Sequence, residues 1–214
     1  MSLNTFMIIS LPSIAILIDC WKSPIENSSS KKCFNNIINF LDTTASITTV
    51  VLATYNCNTE RYTPDSIWAD NNMSLFTNPI RKKIIDLKLA FDLLYANSNN
   101  NFKSEQTDPI IWNYLNPSKY QVAMYWWWEL EYYLLLHPEV KNIYFFGAAW
   151  EQCVRNRPLG YKSILEEGTD LNILTNKNCI LSENHSSLIN LNTNTDWKYL
   201  GNDIYHYQPA LPSV

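Results

Sequence analysis

The sequence predicts an α/β domain, a three-layer α/β/α sandwich built around a mainly parallel sheet. Three observations carry the prediction. Ile14 to Ile18 is an unbroken apolar run closed by Asp19, and Asn142 to Gly147 is a second such run closed by glycine. Continuous apolar runs of this length suit strands buried on both faces, as parallel strands are. Between such runs the apolar period lengthens to that of a helix, and strand and helix patterns alternate along the chain.

The elements follow in order. After the first strand and a serine-rich loop, Phe34, Ile37, Ile38 and Leu41 form one stripe and predict a helix over 31–42. Thr48 to Thr54 is β-branched and reads as the second strand, completing a βαβ unit. Residues 56–78 lose periodicity and read as a long loop; Pro79 opens a helix carrying Ile80, Ile84, Leu87, Phe91 and Leu94; residues 97–106 are a polar linker. Residues 109–120 read as a short strand and loop. A helix is expected from Gln121 to Leu136, stopped by His137 ahead of Pro138. The strand ending at Gly147 leads into a helix from Ala149 or Trp150 that Pro158 and Gly160 terminate, and 161–165 and 178–181 read as two short strands. The expected organisation is one domain over 1–182, then an irregular C-terminal arm over 183–214 that packs on the domain or on a partner subunit.

Composition narrows the function classes. The chain has 214 residues, 46% of them hydrophobic, enough for one sizeable core. A net charge of -4 with no long basic run argues against nucleic acid as the main partner. The apolar start lacks a basic flank, is broken by Pro12 and is too short to span a bilayer, so no membrane association is expected. Five scattered cysteines, never paired at zinc spacing, read as reduced thiols of a cytoplasmic protein. Four glycines against eight tryptophans and thirteen tyrosines make each glycine informative.

In parallel sheets ligands gather beyond the carboxyl ends of the strands. Asp19 and Cys153 fall there. A thiol in the first turn of a helix meets unpaired N–H groups and the positive end of the dipole, which lowers its pKa, and the same N–H groups could hold an oxyanion. Ala149, Trp150, Trp21 and Tyr55, which follow the ends of three strands, are the candidate substrate-binding residues. Arg155 and Arg157 flank the cysteine and could attract an anion.

The stretch from Phe146 to Arg155 resembles the nucleophile segment of the isochorismatase-like cysteine hydrolases: Gly147, Ala148, Ala149, Glu151, Cys153 and Val154 match its pattern. Ile16 to Asp19 is similar to that family's first strand and catalytic aspartate. Lys119, followed by Tyr120, Ala123 and Met124, stands near the separation of the family's lysine, which follows a third strand. The resemblance covers about residues 14–165. It implies an isochorismatase-like, Rossmann-like fold and a hydrolase for a small amide, ester or vinyl ether, in which Cys153 attacks, Asp19 accepts the thiol proton and Lys119 stabilises both. On this reading Asp19→Asn should slow alkylation of Cys153.

Some members of that superfamily hold a metal just after the second strand. Residues 53–58 here contain neither His nor Asp, and His137, His185 and His206 lie elsewhere, so no metal and no cofactor are expected. Trp150 stands where the family is commonly small, and is expected to crowd the oxyanion turn or wall the pocket. Trp126, Trp127 and Trp128 cannot all face one core, because consecutive helical residues point about 100° apart. One or two of them at a subunit interface would suit a homo-oligomer. The alternative class is a catalytically silent binding or assembly module of the same fold, using its aromatic surface.

Overall fold

The computed structural model describes residues 7–20, 28–53, 111, 114, 121–124, 127–157, 159–166, 168–182 and 188–208. Among the described residues seven strands form one sheet: β1 (Ser13–Ile18), β2 (Ile47–Ala53), β3 (Gln121–Met124), β4 (Asn142–Gly147), β5 (Asn172–Asn176), β6 (Trp197–Gly201) and β7 (Ile204–Tyr207). Their order is β3-β2-β1-β4-β5-β7-β6. The first five strands run parallel, and β7 and β6 continue the sheet antiparallel. The molecule is thus α/β with a mostly parallel sheet.

The apolar runs occupy the centre of the sheet for a physical reason. β1 lies between β2 and β4, which pair both its edges, and both its faces are covered by helices, so every residue of it is buried. Ile14, Ile16 and Ile18 join Ile143 and Phe145 on one face, and Ala15 and Leu17 join Tyr144 and Phe146 on the other. Helix α1 (Ser28–Thr43) covers the second face with Cys33, Phe34, Ile37 and Leu41. Helix α2 (Trp127–Leu136) and helix α3 (Tyr161–Glu166) cover the first, through Leu130 and Tyr133 and through Tyr161 and Ile164. The polar residues at the amino ends of the strands are paired: Asn142 donates to Ile8 O at 2.7 Å and to Ser13 Oγ at 3.1 Å, and accepts from Asn172 at 2.8 Å. A buried amide so satisfied fixes the alignment of β1, β4 and β5 at little cost.

Four expectations need correction. The helix expected from Gln121 divides into β3 and α2, because residues 121–124 pair with Val50 to Ala53. The strand expected at 161–165 is α3, whose Tyr161 and Ile164, three residues apart, face the core. Residues 178–181 form a 3-10 turn and two isolated bridges, the fifth parallel strand lying just before them at Asn172–Asn176. The arm expected to be irregular contains β6 and β7, a hairpin turned by Asn202 and Asp203 with φ of 50° and 62°. Asparagine and aspartate tolerate this left-handed turn better than most residues. Trp197 and Tyr205 of the hairpin are part of the main core. The expected loop, helix and linker over 56–106 lie outside the described residues. No helix among the described residues is long and apolar enough to cross a membrane.

Candidate active site

β1 and β4 are adjacent and in register, with Ile18 opposite Gly147, so the residues that leave their carboxyl ends emerge side by side. Gly147 is required there. Its φ is +121°, and a Cβ would stand 1.8 Å from the carbonyl oxygen of Ile18. That close approach lets Ala148 N–H donate to Ile18 O at 3.0 Å. Beyond it, Gly147 O accepts from Leu181 N–H at 3.0 Å and Trp150 N–H donates to Leu181 O at 3.1 Å. The segment 147–150 is therefore clamped between β1 and residue 181.

Ala149 adopts φ 51° and ψ 61°, and the chain enters a single π-helical turn, Trp150–Val154, that carries Cys153. Asp19 has φ 51° as well. Two non-glycine residues held in the left-handed region thus flank the thiol, a placement that costs on the order of 1–3 kcal/mol each and recurs at functional sites.

Asp19 is buried, and Arg157 reaches it: Nη2 lies 2.8 Å from Oδ2 and 2.8 Å from Oδ1. The half-buried Cys153 thiol lies within electrostatic reach of both residues. Asp19, Arg157 and Cys153 therefore form one cluster at the ends of β1 and β4. Arg157 is the member whose role sequence reasoning missed; its place four residues after Cys153, on the same face of a helical turn, was the available signal.

The electrostatics of the thiol differ from expectation. Burial, and next the hydrogen bond and charge of Asp19, push the Cys153 thiol up to about 11, while Arg157 acts the other way. The N–H groups expected to lower it are engaged elsewhere: Gln152, Cys153 and Val154 all donate to Ala149 O, at 3.0, 2.7 and 3.2 Å. That carbonyl occupies the place proposed for an oxyanion, so the turn caps itself. Cys153 in this state is a thiol, activated only if its proton is removed during attack.

Trp150 does not wall a pocket. It is fully buried, with ring centroids 5.6 Å from Tyr161 and 5.2 Å from Trp197, and belongs to the core. The bulky residue is accommodated because the C-terminal hairpin brings Trp197 and Tyr207 against Tyr161. Ala149, expected to bind substrate, is buried at the turn that precedes the thiol. Trp21, Tyr55, Lys119 and His185 lie outside the described residues. The strand that the resemblance puts before Lys119 follows it in the chain, at Gln121–Met124. Trp127 is half-buried and packs against the core cluster, while the side chains of Trp126 and Trp128 lie outside the described residues. His137 stacks on Tyr133 and bonds Glu139 at 3.1 Å; His206 bonds Gln208 at 3.1 Å. Among the described residues no group of three His, Cys, Asp or Glu could hold a metal ion. A groove of about 700 Å³ beside α1 is lined by Phe40, Thr43, Tyr144 and Ile204 among others, and contains none of the predicted site residues.

The chain matches no protein-family model, no curated protein and no solved structure.

Proposed function

We propose that the protein is a metal-independent cysteine hydrolase of the isochorismatase-like type, acting on a small amide, ester or vinyl-ether substrate. The observation that carries this reading is the meeting of Asp19, Arg157 and Cys153 beyond β1 and β4. The sheet order and the two apolar faces covered by helices support the three-layer sandwich that goes with it.

For an amide or ester the chemistry runs as follows. Asp19 takes the thiol proton as the sulfur of Cys153 bonds to the carbonyl carbon; the carbon–nitrogen or carbon–oxygen bond then breaks, and the leaving group receives that proton. Water next attacks the thioester, Asp19 again accepting and returning a proton, and the acid product leaves. Arg157, paired with the Asp19 carboxylate, takes the place that the resemblance gave to Lys119, which was to stabilise both the aspartate and the thiolate. A thiol near 11 makes general-base assistance necessary, because its resting thiolate fraction at neutral pH is about one in ten thousand.

A panel of small esters and amides tests the reading. Turnover that disappears in Cys153→Ser, with an acyl adduct on the Cys153 peptide in mass spectra of the quenched wild type, is the expected result. Turnover unaffected by Cys153→Ser, or none with any substrate, overturns it. The second reading, a silent module of the same fold, is favoured by one observation, the Ala149 carbonyl seated in the N–H groups of 152–154. It expects Cys153→Ala to leave the biological role intact.

A further inference from the structure

The groove beside α1 shares no residue with the Cys153 site. Its volume, about 700 Å³, is within the range of small-molecule sites. Ile9, Phe40, Tyr144 and Ile204 give it an apolar surface, and no charged side chain lines it. An ionised ligand would lose its hydration there without meeting a counter-charge, whereas an uncharged aromatic ring can pack on the rings already present.

Tyr144 supplies the polar chemistry. It stands on β4, its ring centroid 5.3 Å from that of Phe40 and 5.9 Å from that of Phe146. The side chain is fully buried, yet among the described residues its hydroxyl has no hydrogen-bond partner. Buried hydroxyls are nearly always paired, because an unpaired one has given up its bonds to water for nothing in return. Tyr133 and Tyr205, also buried, follow that rule, with partners in Thr49 and Asn192. Ser10, Thr43 and Ser46, which line the same groove, already donate to the carbonyls of Met7, Asn39 and Ile9 at 3.1, 2.7 and 3.1 Å. Tyr144 is thus the buried donor that the groove holds in reserve. Burial keeps the phenol proton in place well above the ordinary range, so the group it requires is an acceptor.

We infer that this groove binds an uncharged aromatic compound carrying a carbonyl oxygen, which takes the Tyr144 hydrogen bond when the half-buried Phe40 ring moves aside. Phe40 both lines the groove and packs on Tyr144, so displacement of this one ring near the end of α1 admits the ligand to the hydroxyl. The hydroxyl is already out of water, so the bond forms without a further desolvation cost on the protein side. The oxygen should therefore be worth about tenfold in affinity. The site is independent of the hydrolase reading and involves no chemistry at Cys153.

Three probes of one shape test the inference, each titrated onto the full chain by fluorine NMR line broadening: para-fluoroacetophenone, para-fluoroethylbenzene and para-fluorobenzoate. The ketone should bind about tenfold more tightly than the ethyl compound, which lacks only its oxygen, and more tightly than the anionic benzoate. Tyr144→Phe deletes a hydroxyl without a partner in the chain, so it should fold at least as stably as the wild type. It should weaken the ketone about tenfold and leave the ethyl compound unchanged. Thr43→Trp, at an exposed position on the groove, should weaken both. Equal binding of ketone and ethyl compound, ketone binding that survives Tyr144→Phe, binding indifferent to Thr43→Trp, or no binding by any probe overturns the inference. The ratio of ketone to ethyl compound is read on the wild type, so a variant that fails to fold leaves the test standing. Cys153→Ala should bind the ketone as the wild type does, so loss of either reading leaves the other in place.

Discussion

Replacing Asp19 by asparagine should speed alkylation of Cys153 and stop hydrolysis. The two effects have opposite signs because the same carboxylate raises the pKa of the thiol and, in the proposed mechanism, serves as the base. With the thiol at about 11, the thiolate fraction at pH 7 is about a hundredfold below that of an ordinary cysteine near 9. The more basic anion recovers about tenfold of this through its greater nucleophilicity. Wild-type Cys153 should therefore alkylate about tenfold more slowly than an open thiol, its rate climbing with pH and levelling only near 11. Asp19→Asn removes the hydrogen bond and charge that follow burial among the causes and leaves Arg157 acting alone, so the plateau moves to lower pH. The rate at pH 7 should rise several-fold, with about tenfold as the ceiling. Hydrolysis should fall by about 10²- to 10⁴-fold, the ordinary worth of a general base. The assay is the iodoacetamide rate on the Cys153 peptide from pH 6 to 11, beside turnover of the best ester. A variant that alkylates more slowly at pH 7, or whose plateau moves upward, would refute the reasoning and restore the sequence expectation.

Gly147→Ala should cost about 3 kcal/mol or more, since the added methyl stands 1.8 Å from the Ile18 carbonyl and one of the two strands must move; an unfolding free energy from urea titration lowered by less than about 1 kcal/mol would contradict this. Trp150→Ala should cost about 3–5 kcal/mol, whereas a wall residue of an open pocket would cost far less. Burial raises the thiols of Cys33 and Cys179 above their ordinary value near 9, so the folded chain keeps protons that the unfolded chain releases. Their stabilisation is complete below about pH 9 and is lost above it at about 1.4 kcal/mol per pH unit for each thiol. Urea titrations from pH 8 to 10.5 should show that fall, and a Cys33→Ala, Cys179→Ala double variant should flatten it.

How much of this could be seen in the sequence depended on local contrast. β1, α1, β2 and β4 were legible because their apolar pattern is continuous or strongly periodic. β3 was not: Gln121 to Met124 abuts an aromatic run that continues the same apolar character, and only pairing with β2 makes it a strand. α3 is too short for its period to separate helix from strand, with two core-facing residues in six. β5 is bounded by Asn172 and Asn176, and its burial comes from β4 and β7 on either side. The hairpin carried a readable signal in Asn202 and Asp203, obscured by the polar stretch ahead of it. Asp19 and Cys153 were visible from their places after apolar runs. Arg157 was named but given the wrong task, because whether an arginine meets solvent, substrate or a buried acid is decided by a contact 138 residues away in the chain.

The hairpin also bears on the order of events during synthesis. Trp150 lies against Trp197, and Tyr161 against Tyr207, so the support beneath the thiol turn is made by residues translated well after the turn itself. While those residues are still inside the ribosome, β1, β2 and β4 can already have emerged, but the indole of Trp150 has no cover. The thiol turn should become resistant to protease on a nascent chain only after Trp197 and Tyr207 have emerged, and premature stops shortly before Trp197 should yield products held by chaperones rather than a shortened, working protein.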